Sequence, residues 1–325
     1  MHTEVLGADH DSAVTRAVEL LRAGKLVALP TETVYGLAAD ALKPEAVAQI
    51  FAAKERPQFD PLIVHLPGRD WVDRVVRIPP EDRALVDQLM RRFWPGPFTL
   101  VLPRQPIVPD LVTAGLDTVA VRMSAHPVFA QIVRSFNGPV AAPSANRFGR
   151  ISPTTAQHVV EELHGRIPLI IDGGPTRLGL ESTIVAVQQG CISVLRRGPV
   201  TTEELSEYPV NKGFITGDII CAPGQLPVHY APRTPLRLIA SADTFSPAAG
   251  QRVGLLAWQT LPAKDRFTAA RILSSNGDPI EAASRLFRFL RELDALNLDL
   301  IVAEEVPEKG VGAAIMDRLR RAAAQ

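Results

Sequence analysis

The first two hundred residues of the chain alternate helical and strand periodicities, and this alternation limits the fold more than any other feature. Residues 13–23 form an amphipathic helical pattern that ends before Gly24, and the apolar run 25–29 follows it as a strand. We expect further helices at 44–53, 82–93 and 153–163, and strands at 61–66, 98–102, 118–121, 139–142, 169–171 and 182–187. This order predicts an α/β fold in which helices flank a twisted mixed sheet.

From about residue 205 the pattern fails, because prolines and glycines follow one another too closely for either periodicity. A long irregular stretch inside a compact protein often serves as a lid or binding loop, so we expect this one to take part in binding. Strand patterns return at 236–239, 252–256, 270–273 and 299–303, with one amphipathic helix at 279–295. The predicted organisation is a first domain at 1–204, a linker and lid at 205–235, and a smaller C-terminal Rossmann-like α/β domain at 236–325.

The composition disfavours several classes of protein. The 35 basic and 35 acidic residues cancel, whereas a dedicated DNA or RNA binder usually carries a basic excess. The two cysteines, Cys191 and Cys221, have no neighbouring ligands at zinc-site spacing. The N-terminal segment lacks the apolar core of a signal peptide, and no run approaches the ~18 apolar residues of a membrane span. We therefore expect a cytoplasmic protein without a membrane partner.

Polar and cationic side chains gather where the predicted strands and helices end, which is where α/β proteins display their chemistry. Neither a Walker A loop nor a Gly-x-Gly-x-x-Gly fingerprint is present, so phosphates would have to be held in another way. Lys54 and Arg56, at the end of a predicted helix, could hold a polyphosphate as a point charge and a planar fork.

Each group also has an ordinary structural interpretation. Lys54 and Arg56 could simply complement the dipole at a helix C-terminus, and His65 could be a histidine of the core. Thr31, Glu32, Thr33 and Tyr35 could form a helix cap with a half-buried tyrosine.

Taken together, the segments resemble the threonylcarbamoyl-AMP synthase family, which has the YrdC-like fold. They follow the family's order over nearly all of residues 10–200, and they are Pro30-Thr31-Glu32-Thr33-Val34-Tyr35-Gly36-Leu37, Lys54-x-Arg56-Pro57, Pro61-Leu62-Ile63-Val64-His65, Trp94-Pro95-Gly96-Pro97-Phe98-Thr99, Val121-Arg122, Pro143-Ser144-Ala145-Asn146 and Glu181-Ser182-Thr183-Ile184. The segment His229-Tyr230-Ala231-Pro232 resembles the linker of the family's long form, and 312–319 resembles the end of its C-terminal domain. The resemblance thus implies the two-domain form.

The resemblance implies ATP-dependent conversion of L-threonine and bicarbonate or CO2 to threonylcarbamoyl-AMP, with release of pyrophosphate. It also implies that a tRNA threonylcarbamoyl transferase complex takes the product, and we expect no stable direct binding of tRNA. The reaction requires no covalent enzyme intermediate, so positioning and charge stabilisation would suffice for catalysis. Mg²⁺ is expected to arrive with the phosphates of ATP, because the sequence shows no dedicated carboxylate cage.

The resemblance further implies a set of site residues. The polar residues around the phosphates and the reacting carbamate, expected to be catalytic, are Lys54, Arg56, Ser144 and Asn146. The residues expected to hold L-threonine are Thr33, His65, Arg122, Ser182 and the Ala142 backbone, with Arg122 as the natural partner of the α-carboxylate. The residues expected to contact ATP are Arg56, Asp60, Thr118, Ser144, Ser152, Arg196, His229 and Tyr230. Glu32 and Glu181 lie near these residues and receive no role.

Two departures from the family pattern affect the ATP contacts. Asp60 stands where the family commonly has asparagine, so it adds a negative charge near the triphosphate unless cations or Mg²⁺ offset it. Residues 225–228 lack the lysine often found before the His-Tyr pair of the linker. We therefore expect closure of the lid to depend on shape and on Tyr230 more than on charge.

Two other functions stay open from the sequence alone. An RNA-binding or ribosome-associated module is disfavoured by the zero net charge, although a local basic patch would escape that objection. Carbamoyl transfer from carbamoyl phosphate occurs in hydrogenase-maturation proteins that share this domain. Those proteins carry additional zinc-finger sequences, and this chain has only two cysteines.

Overall fold

The computed structural model describes residues 2–211, 229–262 and 266–324, and these divide into two compact units. The first unit comprises 2–148, 153–177 and 181–211. The second comprises 149–152, 178–180, 229–262 and 266–324. Most of the linker predicted at 205–235, including 225–228, lies outside the described residues.

The first unit is built around one mixed sheet. Its described strands are β1 Glu4–Gly7, β2 Val27–Leu29, β3 Gly36–Asp40, β4 Ile63–His65, β5 Phe98–Pro103, β6 Thr118–Arg122, β7 Val140–Ala141, β8 Leu169–Asp172, β9 Thr183–Gln188 and β10 Cys191–Arg196. Across the sheet they lie in the order β1-β8-β2-β3-β7-β4-β6-β5-β9-β10. The pairs β1–β8, β8–β2, β4–β6 and β5–β9 are parallel, and the other neighbours are antiparallel. The predicted mixed sheet is confirmed.

Helices cover both faces of this sheet. The described helices of the first unit are α1 Ala13–Arg22, α2 Pro44–Lys54, α3 Val72–Val75, α4 Pro80–Phe93, α5 Asp110–Thr113, α6 Pro127–Phe136, α7 Ala156–Leu163 and α8 Thr202–Leu205. Proline occupies the first turn of α2, α4 and α6, where its missing N–H needs no partner. Helices α1 and α6 pack on one face through residues such as Leu21 and Ile132. Helices α2 and α4 pack on the other face through residues such as Val47 and Leu89.

The alternation of side chains along β6 positions the future site. Val119 and Val121 belong to the large apolar cluster that also contains the residues of α2 and α4. Ala120 belongs to a small separate cluster with Ile63 and Ile184. Arg122, two residues after Ala120, therefore extends from the side of the sheet that carries the small cluster.

The second unit contains a parallel sheet, as the Rossmann-like prediction requires. Its described strands are β11 Leu236–Ile239, β12 Val253–Ala257, β13 Ala269–Ile272 and β14 Leu300–Glu304, in the order β11-β14-β12-β13. All three neighbouring pairs are parallel. Two long helices, α9 Pro279–Asp294 and α10 Val311–Ala323, pack against each other and against this sheet. Nowhere in the described part of the chain is there a helix both long and apolar enough to cross a membrane.

The structure also contains elements that the sequence analysis did not predict, among them β1, β3, α6 and α10. Some predicted bounds were wrong by a few residues. The predicted helix at 153–163 begins at Ala156, because the hydroxyl of Thr155 accepts the N–H of His158 and caps the helix there. The predicted strand at 25–29 begins only at Val27.

Candidate active site

The connection between β2 and β3 is a tight turn organised by Thr31. Its hydroxyl accepts the N–H groups of Thr33 at 3.0 Å and Val34 at 3.2 Å, and donates to the carbonyl of Val34 at 2.7 Å. Beyond the turn, Tyr35 is fully buried and donates its hydroxyl to the carbonyl of Gly174 at 2.7 Å. The alternative interpretation of this segment as a helix cap is therefore wrong, since a strand follows it.

Arg122 ends β6 as a buried guanidinium with three partners. Nη2 donates to Glu32 Oε1 at 2.7 Å, Nη1 to Thr33 Oγ1 at 3.1 Å, and Nε to the carbonyl of Gly96 at 3.1 Å. The second carboxylate oxygen of Glu32 accepts the hydroxyl of Ser124. Burial raises the pKa of Glu32, but the charge of Arg122 and the hydrogen bonds from Ser124 and Arg122 outweigh it and lower this pKa to about 2. Glu32 is thus ionised and is the internal partner of Arg122.

His65 lies beside Arg122, because the two residues are register partners in the parallel strands β4 and β6. The imidazole is buried and packs on the ring of Phe129 with 4.7 Å between centroids. Burial, and then the charge of Arg122, lower the pKa of His65 to about 3, so the ring is neutral. Within the described chain, His65 Nδ1 has no hydrogen-bond partner. A neutral ring with an unused nitrogen at this position is able to bind a ligand hydroxyl.

A second polar group surrounds Ser182, directly before β9. The Ser182 hydroxyl lies 2.8 Å from Thr99 Oγ1 and accepts Nη2 of Arg196 at 3.1 Å. Nε of Arg196 donates to the carbonyl of Ser182, also at 3.1 Å. Thr99 of β5 is the register partner of Arg122 on one side and of Ile184 on the other. The sheet therefore brings His65, Arg122 and Thr99 into one row across three neighbouring strands, and Ser182 joins this row through the contact of its hydroxyl with Thr99.

Lys54, the last residue of α2, holds the loop that follows β7. Its Nζ donates to the carbonyls of Ser144 and Asn146, each at 2.5 Å, and the side chain is almost completely buried. Helix α2 ends here because Glu55 adopts a left-handed conformation with φ of 55°. Burial, and then the charge of Arg56, lower the pKa of Lys54 well below its usual value. The structure thus brings together Lys54, Ser144 and Asn146.

Arg56 folds back onto the loop that leads to β4. Its Nη2 lies 2.9 Å from Asp60 Oδ2 and donates to the carbonyl of Pro61 at 2.8 Å. Burial raises the pKa of Asp60, against the opposing charges of Arg56, Lys54 and Arg196. The three cations favour the ionised carboxylate, but burial has the larger effect on its pKa.

Thr118 and Arg122 lie at opposite ends of β6. Ile63 pairs with Ala120 in the parallel strands β4 and β6. The residues two positions earlier, Pro61 and Thr118, therefore lie together at the start of these strands, near Arg56, whereas His65 and Arg122 lie at the other end. The contact of Thr118 with ATP stays a prediction. Ala142 follows β7 and donates its N–H to the carbonyl of Ile63 at 2.9 Å.

The remaining predicted ATP contacts, Ser152, His229 and Tyr230, belong to the second unit. The N–H of Ala231 donates to the carbonyl of Gly149 at 2.9 Å, so the segments that carry these residues pair with each other. Tyr230 is fully buried: its ring stacks on Phe287 with 5.5 Å between centroids, and the guanidinium of Arg318 lies 5.2 Å from its centre. Their contacts with ATP stay predictions.

Three contributors to the site escaped the sequence interpretation. Glu32 and Thr99 lie inside the family motifs, and this could have marked them as residues of the site. Their contacts could not be predicted, because they form only when distant strands come together in the sheet. Ser124, the partner of Glu32, lies in no quoted motif.

As for metals, the described residues include no cluster of three or more His, Cys, Asp or Glu side chains able to hold an ion.

Comparison with known proteins covers nearly the whole chain. Residues 19–198 match the Sua5, YciO and YrdC family model, described as telomere recombination, and residues 200–324 match the model of the threonylcarbamoyl-AMP synthase C-terminal domain. The chain is 41% identical to threonylcarbamoyl-AMP synthase of Pyrococcus abyssi, over 94% of this chain and 92% of that protein. It is 39% identical to the synthase of Bacillus subtilis, over 97% and 94%. The crystal structure of P. abyssi Sua5 complexed with L-threonine is similar with a TM-score of 0.89 and 37% identity, over 99% of this chain and 98% of that one.

Proposed function

The chain belongs to the threonylcarbamoyl-AMP synthase family, and we propose that it converts L-threonine, bicarbonate or CO2, and ATP to threonylcarbamoyl-AMP and pyrophosphate. The observation that carries this proposal is the 41% identity with the P. abyssi synthase over 94% of the chain. The row of polar residues at the end of β4, β6 and β5 supports it independently. The product would pass to a tRNA threonylcarbamoyl transferase complex without stable binding of tRNA by this protein. We expect this to occur in the cytoplasm, where ATP and tRNA are available.

The proposed reaction has two steps. The threonine amine attacks CO2, and a C–N bond forms while one C–O π bond of CO2 breaks. The nitrogen then passes a proton to water, which leaves the carbamate. A carbamate oxygen then attacks the α-phosphorus of ATP, and the bond to the leaving pyrophosphate breaks. Neither step requires an enzyme nucleophile, so the protein must orient the reactants and stabilise the charge that develops on the phosphates.

Threonine would bind along the row formed by His65, Arg122 and Ser182. The Arg122 guanidinium suits the α-carboxylate, because a planar fork can hold both carboxylate oxygens. Neutral His65 would accept or donate a hydrogen bond to the substrate without adding charge. Cations in the same pocket favour the uncharged form of the amine, which is the form that attacks CO2.

The triphosphate would lie near Lys54, Arg56 and Arg196. Lys54 uses two donors on the carbonyls of Ser144 and Asn146. Its protonated form has a third donor for a phosphate oxygen, and the negative charge of the phosphates would favour that form. A dedicated protein site for Mg²⁺ does not fit the described residues, which contain no suitable ligand cluster. We propose that Mg²⁺ enters with the phosphates of ATP, and we assign it no step.

Pyrophosphate release by the purified chain, measured with ATP and bicarbonate in the presence and absence of L-threonine, tests the proposal. We expect threonine-dependent release that Lys54→Ala abolishes. Lys43→Ala is the matched control, because Lys43 is an exposed lysine at the opposite end of the same helix. Serine lacks only one methyl group of threonine and should be a substrate poorer by roughly 10- to 200-fold. Release that does not depend on threonine, or no release by the folded protein, would contradict the proposal. Salt-dependent affinity for RNA would then favour an RNA-binding module.

A further inference from the structure

We propose that Glu32 is a positioning residue that fixes the guanidinium of Arg122 in the orientation that receives the α-carboxylate of L-threonine. This inference rests on the proposed function, and it assigns a role to a carboxylate that the family resemblance leaves without one. It is carried by the contacts of Arg122 and Glu32, by the anchoring of Glu32 itself, and by the number of donors that Arg122 retains.

The contacts of Arg122 hold its guanidinium from three directions. Glu32, Thr33 and the carbonyl of Gly96 each accept one N–H, and they come from the β2–β3 turn and from the segment before β5. An arginine carries five N–H donors, and these bonds use three. The remaining two belong to the two terminal nitrogens, which is the arrangement that a bidentate carboxylate accepts. The guanidinium is thus held in one orientation and keeps two N–H donors for a ligand.

Glu32 can act as an anchor because it is fixed as well. Its second oxygen accepts the hydroxyl of Ser124, and the turn that carries it is closed by the hydroxyl of Thr31. Both side chains of the Glu32–Arg122 pair are about 95% buried, so neither charge can be solvated if its partner is removed. Without Glu32, the long side chain of Arg122 would be less ordered in the free enzyme. Threonine would then have to order it on binding, and this entropy cost would lower the affinity for threonine.

The opposite role is also conceivable for a carboxylate at this place. Glu32 would then compete with the substrate carboxylate for Arg122, and removal of its charge would tighten threonine binding. The direction of the change in affinity therefore separates the two roles.

The experiment compares L-threonine with L-threoninamide, which lacks the carboxylate charge, as ligands of wild type and Glu32→Gln. Binding is measured by titration calorimetry without ATP, and KM and kcat are measured by pyrophosphate release. We expect Glu32→Gln to weaken threonine binding roughly 10- to 100-fold and to raise KM for threonine, with KM for ATP unchanged. L-threoninamide should lose far less affinity, because its carboxamide depends less on a fixed Arg122. Glu32→Asp should restore part of the affinity.

Two further variants distinguish positioning from a loss of structure. Ser124→Ala removes one anchor of Glu32 and should weaken threonine binding in the same direction by a smaller factor. Asp82→Asn replaces a buried carboxylate of α4 that accepts the N–H of Gly190, so it should lower the melting temperature without altering threonine binding. Tighter binding by Glu32→Gln, or equal losses for threonine and its amide, would overturn the inference. Absence of threonine binding by wild type would instead count against the proposed function.

Discussion

Arg196 holds Ser182 at two points, with Nη2 on its hydroxyl and Nε on its carbonyl, each at 3.1 Å. In the proposed function, Arg196 contacts ATP and Ser182 contacts L-threonine. One guanidinium therefore links the residues that serve the two substrates. The contact with Thr99, 2.8 Å from the same hydroxyl, completes the orientation of Ser182.

This link predicts that Arg196→Lys impairs threonine binding as well as ATP binding. A lysine ammonium keeps the charge but lacks the planar fork, so it cannot make both bonds to Ser182. We expect KM for each substrate to rise by roughly 10-fold, the value of one hydrogen bond to a charged group. Steady-state pyrophosphate release with each substrate varied in turn measures this, and Arg83→Lys, at an exposed ion pair, is the control. An increase confined to KM for ATP would mean that Ser182 keeps its orientation without Arg196.

Lys54→Met should lower both activity and stability. Methionine preserves the length and the apolar stem of the side chain but leaves the partly buried carbonyl of Ser144 and the buried carbonyl of Asn146 without the lysine donor. Each buried group left without a partner costs about 1–3 kcal/mol of unfolding free energy. We expect urea unfolding to show a loss of at least this size and pyrophosphate release to fall by about 100-fold or more. Lys43→Met should change neither, and a Lys54→Met protein of normal stability would show that the loop does not need this lysine.

Much of the fold was accessible from the sequence wherever local pattern and tertiary packing agree. Helix α2 has a proline in its first turn and an apolar face, and both were visible. Strand β3 was not visible: it reads Gly-Leu-Ala-Ala-Asp, and small residues have weak strand propensity. It is a strand because β2 and β7 pair with it on either side in a fully buried position. Helix α6 did carry a signal, with Pro127 at its start and the apolar residues Phe129, Ile132 and Val133 on one face.

The candidate site also has features that local sequence predicts and contacts that it does not. The presence of Lys54, Arg122 and Ser182 at the ends of elements could be read from the sequence, since strand ends are local features. The partner of Arg122 could not, because Glu32 is 90 residues away and meets it only through the order of strands in the sheet. The register of β4, β6 and β5 likewise brings His65 and Thr99 beside Arg122, although the three residues are far apart in the sequence.

Asp60→Asn should increase the affinity for ATP. The carboxylate of Asp60 lies among Arg56, Lys54 and Arg196, the cations proposed to meet the triphosphate. Two unit charges about 8 Å apart at an effective dielectric constant of roughly 20–40 interact by about 1–2 kcal/mol, so removal of the Asp60 charge should favour ATP binding by an amount of this order. We expect KM for ATP to fall by roughly 5- to 30-fold, with KM for threonine unchanged. A higher KM for ATP would instead show that Asp60 serves ATP binding by orienting Arg56.

His65 should make the folded state sensitive to mild acid. Its pKa is about 3 in the folded protein because of burial and then the charge of Arg122, against 6.5 ordinarily. Between these values the unfolded chain takes up a proton that the folded state does not. The contribution of His65 to the unfolding free energy is therefore complete above pH 6.5. It is lost as the pH falls toward 3, by at most about 1.4 kcal/mol per pH unit.

Urea unfolding of wild type and His65→Gln between pH 7 and pH 5 measures this dependence. Glu32 also lowers the unfolding free energy as the pH falls, but only below about 4.5, the ordinary pKa of glutamate. The interval from pH 7 to pH 5 lies above that value, so it reports mainly on histidine. Burial lowers the pKa of His126 too, and it contributes with the same sign, so His126→Gln is measured beside it. We expect His65→Gln to flatten the pH dependence of the unfolding free energy. Parallel curves for wild type and His65→Gln would mean that the pKa of His65 is the same in the folded and unfolded states. Burial would then not keep the imidazole neutral in mild acid, which would contradict the prediction.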